Sequence, residues 1–320
     1  MDSGRTIYLK TTYIPLPFSM MWATIKELKH VDIVHLTSLF YPPSWIIALV
    51  NWLFFHKPLV WSVRGELDKK ALSYKTVFKK GLLILIKLIN TKIAFHSTSQ
   101  EETRVTKQFF SSARTVVEIP NFLELPNRVQ RDETTPAYLL FIGRIHPIKA
   151  IDHLIEGLHL STLFKKSQVS LKIAGDYEND YGRELQKQVV QLGLKDKIHF
   201  VGQLLSAEKE QCYANALFTF MPSHTENFGN VVVESLAQET PVVASLGTPW
   251  QILEEKQAGF WTANTPSVLA AIIDQILTLS PSTYAHYRTN AYTLVAEHFD
   301  VHKNIYKWVD TYRNLLLNEK

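Results

Sequence analysis

Short apolar runs and amphipathic stretches alternate along the second half of the chain. The runs fall at residues 138–142, 170–174, 198–201, 217–221 and 241–244, each the right length for a strand buried on both faces. The segments between them have a helical period. Residues 151–163, for example, carry apolar side chains at Ile151, Leu154, Ile155, Leu158 and Leu163. This alternation predicts a doubly wound α/β sheet of parallel strands. Gly175 and Gly202 end the second and third runs, on the carboxyl edge where such sheets bind ligands.

The first half repeats the pattern less completely. Residues 32–36, 58–62, 92–99 and 116–121 read as strands, and residues 100–109 as a helix. A stretch rich in Pro, Asn, Arg and Glu, roughly 123–136, reads as a linker. The expected division is an amino-terminal domain over 1–128 and a carboxyl-terminal domain over 129–299, with a helix in 300–320 returning to the first. That helix, within 301–317, places Ile305, Trp308, Val309, Tyr312 and Leu315 or Leu316 on one face. Residues 45–55 form the most apolar stretch, too short to span a bilayer, and predict a buried helix. Residues 78–92 mix lysines with aliphatics. They fit either a core helix with solvent-seeking lysines or a helix lying on an anionic membrane surface.

Composition narrows the function classes. A chain of 320 residues with 46% hydrophobic and 20% charged residues is globular and long enough for two cores. A net charge of +4, with no basic stripe or recognisable motif, argues against nucleic-acid binding. The single cysteine, Cys212, excludes an intrachain disulfide and predicts a buried thiol in a reducing, cytoplasmic setting. No Cys/His cluster or Asp-x-Asp pair points to a metal, and Asp176 and Asp180 are poor candidates for one.

Residues 221–245 carry the most chemistry. Glu226 and Glu234 are separated by seven residues, with Phe228, Gly229 and Asn230 between them and a short strand after them. Glu226 reads as loop, Gly229 and Asn230 as a helix entry, and Glu234 as one to two turns into the helix. A helix start presents unpaired N–H groups to an anion. A carboxylate beside such a site makes sense if it accepts from sugar hydroxyls. A second cluster follows the strand at 138–142, where Gly143, Arg144 and Lys149 precede a helix. Strand, glycine turn, cations and helix together make a nucleoside-diphosphate site. Arg144 offers a planar fork and Lys149 a mobile point charge.

These two segments resemble the E-x7-E and G-R-x4-K-G motifs of retaining glycosyltransferases of family 4, which have the GT-B fold. Ala150 stands where the second motif ends in glycine. The resemblance implies two Rossmann-like domains and a nucleoside-diphosphate sugar as co-substrate, with no metal or other cofactor. It implies catalytic roles for Glu226, Arg144 and Lys149, and donor-binding roles for Gly143, Gly202, Phe228, Gly229, Asn230 and Glu234. The segment Arg64-Gly65, with Gly247-Thr248-Pro249-Trp250, is similar to members that act in exopolysaccharide synthesis, and places Arg64 on the acceptor side. The acceptor implied is a glycan or a lipid-linked glycan, met at the inner membrane face.

The start of the chain departs from the family pattern. Residues 1–30 hold no glycine-rich turn, so the amino-terminal domain is expected to be incomplete by at least one βαβ unit. A donor-binding subunit that needs a partner, or a nucleotide-sugar epimerase of the same architecture, are the alternative readings. His35 and His96 follow strands and are expected to pack or cap rather than catalyse.

Overall fold

The computed structural model describes residues 17–67, 72 and 76–317. The first sixteen residues, on which the expectation of an incomplete domain partly rests, lie outside this set. The chain forms two compact units. One runs to Pro120 and resumes at Tyr306, and the other is Asn121–Ile305. The division falls before residue 128 because the intervening segment packs on the second unit. Leu123 N–H donates to Phe299 O at 3.0 Å, Val301 N–H donates to Leu123 O at 2.9 Å, and Val129 N–H donates to Gln238 Oε1 at 2.8 Å.

The first unit has a parallel sheet of β1 (Val34–Thr37), β2 (Leu59–Ser62), β3 (Ile93–Ser97) and β4 (Thr115–Glu118), in that order. Successive side chains point to opposite faces. Leu59, Trp61, Ile93 and Phe95 therefore enter a core with Leu82, Leu83 and Ile86 of the helix Thr76–Ile89. Val60 and Ala94 face the other way and meet Leu315 of the last helix, Tyr306–Leu317, beside Trp308 and Tyr312. Ile305 and Val309 are exposed, so they lie off the packing face assigned to them from periodicity.

The second unit has a six-stranded parallel sheet. Its strands are β5 (Tyr138–Ile142), β6 (Ser170–Ala174), β7 (Ile198–Gly202), β8 (Thr219–Met221), β9 (Val242–Ser245) and β10 (Gly259–Thr262). Their order is β10-β9-β8-β5-β6-β7. Strand order reverses between β5 and β8, the switch point at which doubly wound sheets open a crevice beyond their carboxyl ends. One face is filled by Leu139, Phe141, Leu171 and Ile173 with the helices Ile151–Leu160 and Pro266–Leu277. These helices approach so closely that a Cβ on Gly157 would lie 2.9 Å from that of Leu269.

Two other elements differ from expectation. β10 was not foreseen, since its four residues include a glycine and no long apolar run. The stretch 45–55 is only half buried. Its helix, Pro42–Val50, buries Ile47 and Ala48, then continues as one π turn, Asn51–Phe55, that exposes Trp52, Leu53 and Phe54. Among the described residues no single helix is long and apolar enough to cross a membrane.

Candidate functional site

The two sequence clusters of the second unit meet at the β5–β8 switch point. β5 is followed by Gly143, whose φ of +149° and 3.0 Å bond from its N–H to Ala174 O turn the chain sharply. A Cβ on neighbouring Gly175 would lie 2.1 Å from Gly143 O, so only glycine lets the two strand ends come this close. The turn leads through a short 3-10 helix, Pro147–Lys149, to Ala150. Ala150 adopts φ +49° and is fully buried. The family's glycine is therefore replaced at a position that does use a left-handed backbone, and the alanine is strained.

The second cluster is tied to this turn through the backbone. His224 N–H donates to Ile148 O at 2.8 Å, and Glu226 N–H donates to Gly247 O at 3.0 Å. Lys149 Nζ then donates to Glu226 Oε2 in an ion pair whose side chains are 13% and 22% exposed. Gly229 has φ +81°, and a Cβ there would meet Met221 Sδ at 2.5 Å. Glycine thus starts the helix Asn230–Ala237, which has no side-chain cap at its amino end. Uncapped N–H groups and a positive dipole end beside Lys149 make a receptor for an anion. Arg144 is exposed at the strand end and makes no hydrogen bond or ion pair with the described residues. Its guanidinium is available to a ligand.

Glu234 lies on the same helix and is held by two side chains that the sequence reading missed. Lys209 Nζ donates to Glu234 Oε1 at 3.0 Å, and Tyr213 OH donates to Glu234 Oε2 at 2.9 Å. Burial, and then the Glu234 carboxylate, push the Tyr213 phenol well above its ordinary pKa, so it remains a donor. The signal was the four-residue spacing of Lys209 and Tyr213, which puts both on one face of the helix Ser206–Asn215. Gly202, at the end of β7 with φ +76°, has nothing within 4 Å of a Cβ position and leaves open space there. Asn230 accepts from Asn121 Nδ2 at 3.4 Å.

Phe228 turns its ring into the core. Its side chain is 5% exposed and packs against Trp250 and Phe299, with ring centroids 5.1 and 5.7 Å away, and its carbonyl accepts from Trp250 Nε1. It anchors the loop from inside.

Arg64, in the first unit, sits in a loop that is held tightly. It has φ +56° and precedes Gly65 at φ +74°. Glu102 accepts from Gly65 N–H, from Thr98 N–H at 2.6 Å and from Thr98 Oγ1 at 3.0 Å. Glu66 accepts from Ser38 Oγ at 2.5 Å, Phe40 N–H at 3.2 Å and Leu39 N–H. Beneath the loop runs a chain of hydrogen bonds whose direction is fixed by its last acceptor. Ile119 O can only accept, so His96 Nε2 donates to it at 2.8 Å and His96 Nδ1 accepts from Ser62 Oγ at 2.7 Å. Ser62 Oγ in turn accepts from His35 Nε2 at 2.8 Å, and Tyr312 OH donates to His35 Nδ1 at 2.7 Å. Both imidazoles are neutral in this arrangement. Burial first, and then the charge of Arg64, lower His35 to about 4. Burial and Arg64 likewise bring His96 to about 4, against the upward pull of its bond to Ile119. His96 is buried, as expected, whereas His35 is exposed and packs only one side against Trp308 and Tyr312, and both lie within strands and not after them.

A family model described as glycosyl transferases group 1 matches residues 126–294, more than half of the chain. The uncharacterized glycosyltransferase MJ1607 of Methanocaldococcus jannaschii is 32% identical over 47% of this chain and 37% of its own. The O-antigen chain mannosyltransferase RfbU of Salmonella typhimurium is 28% identical over 44% and 38%. The match thus spans little more than a third of each of these relatives. Among solved structures, Anabaena HepE in complex with UDP and glucose has a TM-score of 0.77 at 21% identity, covering 92% of this chain and 82% of that one. Sucrose-phosphate synthase of Thermosynechococcus elongatus has a TM-score of 0.79 at 20% identity, covering 99% and 82%. These likenesses establish the GT-B fold. With the family model seated on the unit that holds the Lys149–Glu226 site, this chain belongs to the glycosyl transferases group 1.

Proposed function

We propose that the protein moves a sugar, with retention of anomeric configuration and without a metal, from a nucleoside-diphosphate sugar to a glycan or lipid-linked acceptor in cell-surface polysaccharide synthesis. The observation that carries this reading is the meeting of Lys149 and Glu226 beside the uncapped helix start at Gly229. Phosphate and sugar-hydroxyl partners are there set side by side. The HepE neighbour holds UDP and glucose, which supports a donor of this class.

In this reading the bond from the anomeric carbon to the diphosphate breaks, and a new bond forms to an acceptor hydroxyl on the same face. The departing diphosphate takes the acceptor proton. Lys149 and the N–H groups at Asn230 and Val231 are fixed donors to the charge that builds on the diphosphate, the arrangement from which much electrostatic catalysis comes, and the exposed Arg144 closes on it when the donor binds. They supply the positive charge that a metal provides elsewhere. Glu226 accepts from sugar hydroxyls and offsets the positive ring. Glu234 accepts from the ribose, with Lys209 and Tyr213 setting its orientation, and the open space at Gly202 admits the base. Arg64 faces the acceptor. The free, buried thiol of Cys212 suits a reducing cytoplasm, with the acceptor met at the inner membrane face.

The test is calorimetric binding of UDP, GDP and their common sugars to the 320-residue chain, alongside Arg144→Ala. Binding that is lost in the variant supports the donor site and names the base. A folded chain that binds none of them overturns the reading in favour of a partner-dependent subunit. Epimerised donor in the absence of any acceptor would favour the isomerase.

A further inference from the structure

A cavity of about 330 Å³ opens in the second unit, away from the donor site. Arg131 and Glu133 line it from the segment leading into β5, Glu239 from the turn before β9, and Tyr284 and Arg288 from the helix Pro281–His298. Arg131 bonds to Ala216 O, just ahead of β8, so the cavity lies at the amino ends of the strands. Arg144, Lys149 and Glu226 stand at the carboxyl ends. Strands of three to five residues separate the two ends of the sheet by about 10–17 Å. The transfer reaction proposed above makes no use of this cavity.

Arg131 is the informative residue. Its side chain is 13% exposed, and its nearest carboxylate, Glu133, is 3.8 Å away and 81% exposed to water. Its close partners are neutral. Arg131 Nη1 donates to Tyr284 OH at 2.8 Å and to Ala216 O at 3.3 Å, and the guanidinium lies 5.7 Å from the centroid of the Tyr284 ring. Tyr284 in turn donates inward to Leu217 O at 3.1 Å. Nη2 of Arg131 makes no hydrogen bond to the described residues. A cation taken this far out of water is costly unless an anion meets it.

Arg288 faces the same cavity. Its Nε and Nη2 donate to Glu239 O and Oε2, both at 3.2 Å, and its Nη1 makes no hydrogen bond to the described residues. The Glu239 carboxylate is already shared, because Arg128 Nη1 donates to its Oε1 at 2.7 Å. Three arginines thus stand against one enclosed carboxylate and the exposed Glu133. The surplus of positive charge and the two unused guanidinium edges suit a phosphate group, which carries up to two charges and several acceptor oxygens. The volume is at the small end of the ligand-pocket range of about 300–1,000 Å³, enough for a phosphate and a body the size of one sugar ring.

We propose that Arg131 and Arg288 bind the phosphate group of a small molecule in this cavity, a second ligand site separate from the donor site. The helix Asn230–Ala237 links the two places. It starts beside the donor anion site, and Glu239 follows its end. A phosphate bound at Arg288 therefore sits at the far end of the helix whose start receives the donor. The inference goes beyond the transfer reaction and does not depend on it.

Calorimetric titration of the 320-residue chain with glucose 6-phosphate, inorganic phosphate and citrate tests it. The phosphate probes should bind, and their affinity should fall about tenfold or more in Arg131→Gln and in Ala285→Glu. Ala285 is exposed in the cavity wall, so a glutamate there adds a repelling carboxylate without opening the core. Ala285→Gln and Arg144→Ala should bind as the wild type does. Melting curves check that each variant is folded, and Ala285→Glu keeps the test if Arg131→Gln is not. Equal affinity for inorganic phosphate and the ester supports the site with the free ion as its ligand, and tighter binding of the ester supports it with a phosphorylated metabolite. Binding of neither overturns the proposal, as does unchanged binding in Ala285→Glu. Citrate bound more tightly than both would make a carboxylate the ligand and overturn it too. Affinity lost in Arg144→Ala but kept in Ala285→Glu would place the phosphate in the donor site and overturn it. UDP titrated into the same variants separates the two readings. Phosphate binding that depends on Ala285→Glu, without any UDP binding, leaves this inference standing and removes the donor reading.

Discussion

Lys149 and Glu226 are 77 positions apart in sequence and form an ion pair at the switch point of the second sheet. The pair sits between two sequence motifs that would otherwise be separate, and both side chains are mostly buried. Arg144, five residues before Lys149, has no such partner. The two cations should therefore respond differently to truncation. Lys149→Ala strands a mostly buried carboxylate and should destabilise the second unit by about 1–2 kcal/mol while weakening diphosphate binding. Arg144→Ala should leave the melting temperature unchanged and weaken diphosphate binding about tenfold or more. Melting and calorimetry on both variants check the contrast. Equal effects on stability would mean that Arg144 has a structural role.

Ala150 offers a second check. A left-handed alanine costs about 1–2 kcal/mol relative to glycine, and removing its buried methyl costs about 0.8 kcal/mol. The strain is the larger effect, so Ala150→Gly should raise the melting temperature by about 1–3 °C. A fall would show that the methyl contributes more than the backbone loses.

Phe228 is a core residue set inside a binding motif. Phe228→Ala should cost about 3–5 kcal/mol, the usual range for a buried phenylalanine, because it opens a cavity against Trp250 and Phe299. Denaturant unfolding measures this. A variant that lost ligand affinity at full stability would return Phe228 to the ligand.

Much of this was legible in the sequence, and what was not has physical reasons. The doubly wound order could be read from apolar runs because parallel strands are buried on both faces and so appear as continuous apolar segments. Gly143, Gly229 and the two glutamates could be read because their spacing fixes local geometry. The inward packing of Phe228 was not legible because a motif records position in the chain and says nothing about which way a ring points. Lys209 and Tyr213 were missed because their four-residue spacing says only that they share a helix face, and their partner, Glu234, is more than twenty residues away. The exposure of Trp52, Leu53 and Phe54 was hidden for a similar reason. Composition alone made the stretch look buried, and only the π turn after Val50 carries these side chains outward.

The chain of hydrogen bonds through His35 and His96 predicts a pH dependence. Both groups have folded-state values of about 4, against 6.5 for an ordinary histidine. The unfolded chain therefore takes up protons between pH 6.5 and 4 that the folded chain refuses. Stability should fall as pH drops through this window and level off below it. His96, which is 1% exposed, should account for about 3 kcal/mol of the loss. Unfolding of the wild type and of His96→Gln, followed from pH 7 to pH 4, tests this. Parallel curves for the two would remove His96 as the cause.

The last helix, Tyr306–Leu317, belongs to the first unit although the whole of the second unit lies between them in the chain. During synthesis, the strands β1 to β4 therefore leave the ribosome with the face of Val60 and Ala94 unsealed, and wait while some 185 residues of the second unit are made. The unit that begins first is the one that finishes last. Its open face must be held or shielded for the time it takes to translate an entire domain, so a stop between Ile305 and the end of the last helix would release a protein with a finished second unit and an unfinished, aggregation-prone first unit.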